Sequence, residues 1–314
     1  MKSKETILVT GGAGFIGSNL TERLLEMGFE VIIFDNFQTG KTENISSLIK
    51  NPECQLISGD VNNRDEITPV FLKHRVDYVY HYAACVGVER TLTNPLAVLA
   101  DIEGIKNILL LSAAFKVKRF FYSSSSEVYG ESTSFPQSET GTPLNSRLPY
   151  AVVKNVGEVF IKTYQKEYGL EYTIFRFFNT YGPRQSENFV MSKFIKQALN
   201  NEDITIYGDG SQTRTFLYIE DNVTATTAAI TCDRCRNQAI NVGNNMEIPI
   251  RVLAEEIIRI SGSRSELKFL PPLSEGDMPK RLPDIAAMRE LLGVEPSVSL
   301  IDGIKKTVDF FKDS

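Results

Sequence analysis

Thr10-Gly11-Gly12-Ala13-Gly14-Phe15-Ile16-Gly17-Ser18 stands between a short β-rich run at 6–10 and a helical pattern over 17–27. In that setting the three glycines, spaced by three, have separate duties. Gly11 makes the tight turn, Gly14 lets the backbone approach a pyrophosphate, and Gly17 lets helix pack on strand. Free N–H groups at the helix start stabilise phosphate oxygens. Asp35 closes the next expected strand, at 31–34. A carboxylate there takes both hydroxyls of an adenosine ribose and repels the 2′-phosphate of NADP. Asp60 and Val61, after a third run, are placed beside adenine, although an Asp after a strand is also a common helix cap. A bare glycine turn without a ligand is the competing reading, and it leaves Asp35 unexplained.

Outward from this turn the same alternation continues. Strands are expected at 55–58, 78–80 and 119–122, with helices between them, notably 96–115. Continuous apolar strands separated by helices imply a parallel sheet covered on both faces, with right-handed crossovers. Residues 131–149 read as a loop, 151–168 as a helix ended by Gly169, and 172–177 as another buried strand. AsnThrTyrGlyProArg at 179–184 reads as a turn. Helices are then expected at 188–200, 221–233, 250–261 and 300–312, with a proline-rich stretch over 270–284. We place a sheet domain over 1–180 and a smaller cap over 181–314, with a strand near 239–242 returning to the large sheet.

Composition narrows the class. The 314 residues are 42% hydrophobic and 23% charged, enough to bury a core without metal or disulfides. A net charge of −5 with no long block of like charges argues against nucleic acid and anionic membrane as partners. No run of 18 apolar residues occurs, and MKSKETILVTGGAG goes straight into a strand, so a cytoplasmic location is expected. Four cysteines make no disulfide framework, and two histidines, His74 and His81, leave little scope for a metal site. Cys232-x-x-Cys235 lacks further ligands and reads as structural or incidental, with Arg234 and Arg236 as a solvated edge.

Tyr150 and Lys154 are four apart at a helix start, hence on one face. An ammonium near a phenol favours phenolate and makes tyrosine usable as a base. SerSerSerSerGluValTyrGly at 123–130 follows the fifth strand, at the edge where such sheets bind ligands. Each feature alone has a bland reading, a chance pair and a polar loop cap. Glu127 among those hydroxyls puts an acid beside whatever Tyr150 acts on.

Together with HisTyrAlaAla at 81–84, ArgPhePheAsn-x-TyrGlyProArg at 176–184 and TyrGlyAspGlySerGlnThrArg at 207–214, these motifs make the chain resemble one family along essentially its whole length. It is similar to the extended short-chain dehydrogenase/reductases of the nucleotide-sugar epimerase/dehydratase/decarboxylase group. The resemblance implies a Rossmann-like doubly wound parallel sheet with a smaller C-terminal α/β substrate-binding cap. It implies NAD, held by Gly11, Gly14, Phe15, Ile16, Gly17, Asp35, Asn36, Asp60, Val61, Ala83, Tyr150, Lys154 and Phe177, and regenerated in each cycle. Tyr150 takes the sugar 4-hydroxyl proton, Ser125 bonds the same oxygen with Ser126 nearby, and Lys154 holds the nicotinamide ribose and lowers the tyrosine pKa. Asn179, Arg184 and Arg214 belong to the diphosphate region; Phe189, Tyr207 and Asp277 line the nucleotide end. The substrate implied is a nucleotide sugar, UDP-linked in preference to dTDP-linked, and helices 96–115 and 151–168 would join a homodimer.

Within the group the reaction is read from Ser125-Ser126-Glu127. The 4,6-dehydratases carry Thr-Asp-Glu there, so this chain lacks the acid for the departing hydroxyl. The 4-epimerases commonly have no acid at the place of Glu127, and many have an arginine near Ser274. Decarboxylases of nucleotide-linked uronic acids carry Thr/Ser-Ser-Glu, and the stretches 262–271 and 280–284 also resemble them, whereas TyrAlaValValLys at 150–154 resembles epimerases. Asp101 stands where the family pattern has Asn. We expect decarboxylation of a UDP-uronic acid, with Glu127 in an extended segment orienting water or acting as acid and a nearby arginine holding the carboxylate. A 4-epimerase, a dehydratase and an inactive NAD-binding homologue are the alternatives, the last disfavoured by the intact Tyr/Lys pair.

Overall fold

The structure is a computed structural model that describes residues 4–86, 94–272 and 278–313. Its centre is a seven-stranded, all-parallel sheet: β1 (Thr6–Thr10), β2 (Glu30–Asp35), β3 (Cys54–Ser58), β4 (Tyr78–His81), β5 (Arg119–Ser125), β6 (Tyr172–Phe177) and, much later in the chain, β11 (Gln238–Val242). They lie in the order β11-β6-β5-β4-β1-β2-β3. All residues of β1 and β5 are buried, as strands covered on both faces must be. One apolar layer, including Leu8, Val79, Phe120 and Ile174, packs on one face; Ile7, Tyr80, Phe121 and Phe175 pack on the other. The fold is thus the Rossmann-like doubly wound sheet expected, with a smaller C-terminal α/β region.

Chain order reverses direction between β1 and β4, which are neighbours. Crevices at such switch points, beyond the carboxyl ends of the strands, are where these sheets bind ligands. Three helices frame this one: α1 (Phe15–Glu26), α3 (Pro95–Ala114) and α4 (Pro149–Tyr168), with α2 (Arg64–Lys73) further along the sheet. Pro149 fits the first turn of α4, and Gly169, at φ 71°, closes it in the left-handed region.

The rest of the chain forms β7 (Thr180–Tyr181), α5 (Val190–Leu199), β8 (Ile204–Tyr207), β9 (Thr213–Thr215), β10 (Leu217–Tyr218), α6 (Ile219–Ala228), β12 (Glu247–Pro249), α7 (Ile250–Ser261), β13 (Leu267–Leu270), α8 (Ala286–Leu292) and α9 (Leu300–Lys312). Its strands pair two by two, β7 with β10, β9 with β12 and β8 with β13. A separate apolar cluster containing Phe194, Ile206, Leu253 and Ile304 holds α5, α7 and α9 together.

Two expectations are corrected. The helix expected over 221–233 ends at Ala228, and a 3-10 turn, Asp233–Cys235, follows it. Cys232 and Cys235 are joined by a disulfide within that segment, which their number in the sequence gave no reason to expect. Arg234 and Arg236 are exposed, the solvated edge expected, with Arg236 pairing at the surface with Asp233 and Glu171.

Candidate active site

The glycine turn closes on itself. A Cβ on Gly17 would lie 2.2 Å from the Gly11 carbonyl oxygen, and one on Gly11 2.6 Å from Ala83 N. Gly11, at φ 72°, lets the turn run against the end of β4. Gly14 caps α1 with no side-chain bond, leaving first-turn N–H groups for a ligand. Asp35 is buried and accepts N–H bonds from Ala13 at 2.9 Å and Phe37 at 2.8 Å, one on each carboxylate oxygen. Burial raises its pKa and these two bonds oppose the rise.

A cleft of about 400 Å³ starts here and runs to the serine strand. Gly11, Gly14, Phe15, Ile16, Gly17, Asp35, Asn36, Asp60, Val61, Ala83 and Phe177 line it, together with Tyr150, Lys154, Ser125, Ser126 and Glu127. Every residue expected to contact the cofactor therefore lines one cleft. A turn whose own backbone leaves no room for side chains at 11 and 17, uncapped helix N–H groups and a buried carboxylate fit a dinucleotide with an unphosphorylated ribose.

The serine run has one task per residue. Ser123 Oγ accepts from Lys154 Nζ at 3.3 Å and donates to the His81 carbonyl. Ser124 donates to Glu158 at 2.7 Å, and Glu158 in turn takes both arms of Arg176, at 2.9 and 2.7 Å. That buried pair ties α4 to β5 and β6. Ser125 Oγ accepts the Glu127 N–H at 3.2 Å and caps a 3-10 turn over Ser126–Tyr129, so Glu127 is not in an extended segment as expected.

The electrostatics differ from expectation. Tyr150 is raised, not lowered: burial pushes the phenol up, the Glu127 carboxylate adds to this, and its hydrogen bond with Ser125 and the charge of Arg281 oppose it. Desolvation is the largest cause, where the spacing suggested a lowering by the ammonium. Lys154, 3% exposed, is pushed down to about 8 by burial while Asp101 pulls it up. Its ammonium stands 5.7 Å from the Tyr150 ring centre and 5.0 Å from that of Tyr122.

Of the residues expected at the substrate, Asn179, Arg184 and Phe189 line the cleft, whereas Tyr207 and Arg214 are not brought into its lining. Tyr207 ends β8 beneath Lys193, 5.5 Å from the ring centre, and Arg214 sits in β9 with Nη1 on the Thr213 carbonyl. Asp277 lies outside the described residues. Arg184, left-handed at φ 72°, bonds Glu22 of α1 at 2.8 Å, with its buried Nη1 lacking a partner. The residue our reading did not number is Arg281, 2.6 Å from Glu127 and 8% exposed, with Nε buried and unpartnered. Its signal was the stretch 280–284.

Among the described residues, no group of three or more His, Cys, Asp or Glu is placed to hold a metal, and no helix is long and apolar enough to cross a membrane. Fold and cleft define a dinucleotide-dependent enzyme of the doubly wound α/β class. Residues 7–243 match the NAD dependent epimerase/dehydratase family, and the chain belongs to it. It is 37% identical over 318 residues to UDP-glucuronic acid decarboxylase 1 of Xenopus tropicalis, covering 99% of this chain and 73% of the relative. It is 35% identical over 325 residues to UDP-N-acetyl-alpha-D-glucosaminuronate decarboxylase of Bacillus cytotoxicus, covering 99% and 98%. UDP-glucose 4-epimerase of Thermotoga maritima, solved with UDP-glucose, superposes with a TM-score of 0.92 at 35% identity, covering 98% and 99%. The protein is an NAD-dependent enzyme.

Proposed function

We propose that the protein acts on a UDP-sugar through a 4-keto intermediate and that its reaction is the decarboxylation of a UDP-uronic acid. The Glu127–Arg281 pair carries this reading, because it puts a buried guanidinium and a carboxylate into the cleft that holds Tyr150. Two of the relatives named above are decarboxylases of such substrates.

Bound NAD supplies a reversible hydride acceptor for C4. Tyr150 takes the 4-hydroxyl proton at its phenolic oxygen, with Ser125 bonding there and the Lys154 ammonium favouring the phenolate. Once C4 is a ketone, the C5 carboxylate is that of a β-keto acid, and the C5–C bond breaks with release of CO₂ and no metal. Arg281 holds the carboxylate until then, its guanidinium matching two oxygens. The electron pair left behind forms the enolate, which takes a proton at C5 from a water held by the Glu127 carboxylate, the hydroxide leaving with CO₂ as bicarbonate; C4 would then regain its hydride from the reduced cofactor while Tyr150 returns its proton to the 4-oxygen. Asn179, Arg184 and Phe189 face the nucleoside diphosphate. Residues 1–180 with β11 hold NAD, and 181–314 mainly the nucleotide sugar.

A dimer through α3 and α4 and a cytoplasmic place of action belong to the same proposal. Leu96, Leu99, Val159 and Tyr168, exposed on those two helices, support the first. A second reading, 4-epimerisation, rests on the likeness to the Thermotoga enzyme and on TyrAlaValValLys. The test is incubation with UDP-glucose, UDP-N-acetylglucosamine and their uronic acids, followed by NMR and mass spectrometry. A uronate product lighter by CO₂ supports decarboxylation. An unchanged mass with inverted C4 establishes the epimerase instead, and loss of water from a neutral hexose the dehydratase.

A further inference from the structure

We propose that the Asn241 side chain sets the Glu127–Arg281 pair, by clamping the turn that carries Glu127 to the strap, residues 279–284, that carries Arg281. This rests on the proposed reading, in which the pair serves the sugar carboxylate and the proton for C5.

Asn241 stands in β11 beside Arg176 of β6 and is fully buried. On one side its Oδ1 accepts from the Tyr129 hydroxyl at 2.7 Å. Tyr129 ends the 3-10 turn that holds Glu127. On the other side its Nδ2 donates to the Gln137 carbonyl at 2.9 Å and to the Asp284 carbonyl at 3.1 Å. Gln137 itself runs along the strap: its N–H donates to the Leu282 carbonyl at 2.7 Å, and its carbonyl accepts the Asp284 N–H at 2.8 Å. One amide therefore meets both segments, which are far apart in the chain.

The pattern calls for an amide. One end must accept from a hydroxyl while the other donates to two carbonyls, and an ionised carboxylate has no donor for them. The Tyr129 hydroxyl also accepts from Arg176 Nη1 at 2.9 Å, and Arg176 is held by Glu158 at 2.7 Å, so the turn is braced against the sheet. At the strap's far end the Thr213 N–H donates to the Pro279 carbonyl at 2.9 Å, and Lys280 bonds Glu247 at 2.8 Å. Arg281 falls between these two ties, and its 2.6 Å contact with Glu127 needs turn and strap to keep their spacing. Supporting hydrogen bonds hold such geometry to a fraction of an ångström, and a displacement of about 1 Å can cost on the order of 10²-fold in rate. Asn241 is not in the lining of the cleft, so it is a positioning residue, acting through Glu127 and Arg281.

Two variants of the NAD-bound protein loosen the clamp. Asn241→Ala removes both ends of the amide; Tyr129→Phe removes one hydroxyl, keeps the ring and serves if Asn241→Ala does not fold. With arginine labelled by ¹⁵N, the Arg281 Nε–H signal, assigned through Arg281→Lys, is read by NMR with and without Glu127→Gln. In the unaltered protein Glu127→Gln should move that signal, and in the clamp variant it should move it by about half as much or less. An equal displacement in the clamp variant, or none in the unaltered protein, overturns the proposal. Calorimetric titration adds a readout that general loosening would not move. Affinity for UDP-glucuronate should fall about tenfold in the clamp variant, while affinity for UDP-glucose stays within about twofold. Equal losses for both ligands, where Arg281→Ala does discriminate between them, also overturn the proposal. If Arg281→Ala itself fails to discriminate, the carboxylate reading of Arg281 falls and the NMR result still decides the clamp.

Discussion

Arg281 Nη1 lies 2.6 Å from Glu127 Oε1, and both charges act on the Tyr150 phenol in opposite directions. The pair thus joins proton delivery at C5 to the energetics of the base for the 4-hydroxyl. Replacing Glu127 by Gln removes a charge that opposes phenolate formation, so oxidation at C4 should survive. Protonation at C5 should fail, dropping turnover by roughly 10²-fold. Reduced nicotinamide should then build up on the enzyme, visible by its near-ultraviolet absorbance. Full turnover without that absorbance contradicts the assignment of Glu127.

Tyr150 and Lys154 have to be ionised in a combination the cleft disfavours, tyrosinate beside ammonium. Activity should therefore rise with pH through neutrality as phenolate forms. Near pH 8 it should level, because each further loss from Lys154 offsets the gain at Tyr150. Tyr150→Phe should fold normally and lose roughly 10²-fold or more in turnover. A profile that declines through neutrality, or a Phe variant of normal activity, places the base elsewhere.

The sheet and the glycine turn were legible because both are local: a continuous apolar run and a glycine triplet leave few other conformations. Tyr150 and Lys154 were legible because helical spacing places both on one face. Arg281 was not, since it reaches Glu127 across more than 150 residues, and no periodicity reports such a contact. The direction of the Tyr150 shift was missed for a related reason. Spacing reveals the neighbouring lysine but not the desolvation that dominates the shift. Tyr207 and Arg214 stand in strands paired within the smaller region, outside the lining of the cleft, and motif spacing does not report that placement.

The buried ammonium of Lys154 costs stability. Its fall from 10.5 to about 8 amounts to about 3 kcal/mol at about 1.4 kcal/mol per pH unit. Between those values the unfolded chain binds more protons than the folded one, so this group makes stability rise with pH across that window. Below pH 8 the cost is present in full. Lys154→Met should therefore be inactive yet more resistant to urea at neutral pH, with an advantage that shrinks as pH rises from 8 towards 10.5. A variant less stable than the unaltered protein at pH 7 contradicts this.

Gly17 and Gly14 should respond differently to alanine. At Gly17 the new carbon meets the Gly11 carbonyl oxygen at 2.2 Å and Gly12 Cα at 2.8 Å, both backbone atoms that cannot turn aside. Gly17→Ala should cost about 1–3 kcal/mol in urea unfolding and weaken NAD. At Gly14 the nearest atom is Gly11 O at 3.2 Å, so folding should be almost unaffected and the loss confined to NAD affinity. Unchanged NAD binding by Gly14→Ala separates the turn from the pyrophosphate.

Asp35 has two duties that one substitution separates. Its oxygens hold the Ala13 and Phe37 N–H groups, pinning the glycine turn to the loop after β2. Each oxygen keeps a lone pair for a ribose hydroxyl, and the net charge repels a 2′-phosphate. The unaltered protein should therefore prefer NAD to NADP by roughly 10²-fold or more. Asp35→Asn keeps one acceptor, turns an amide N–H towards the other backbone donor and removes the charge. It should lose about 1–3 kcal/mol of stability for the unpaired N–H, bind NAD more weakly, and narrow the NAD-to-NADP ratio. Calorimetric titration with both cofactors alongside urea unfolding measures the two duties independently. Equal affinity of the unaltered protein for NAD and NADP would leave Asp35 with the structural duty alone.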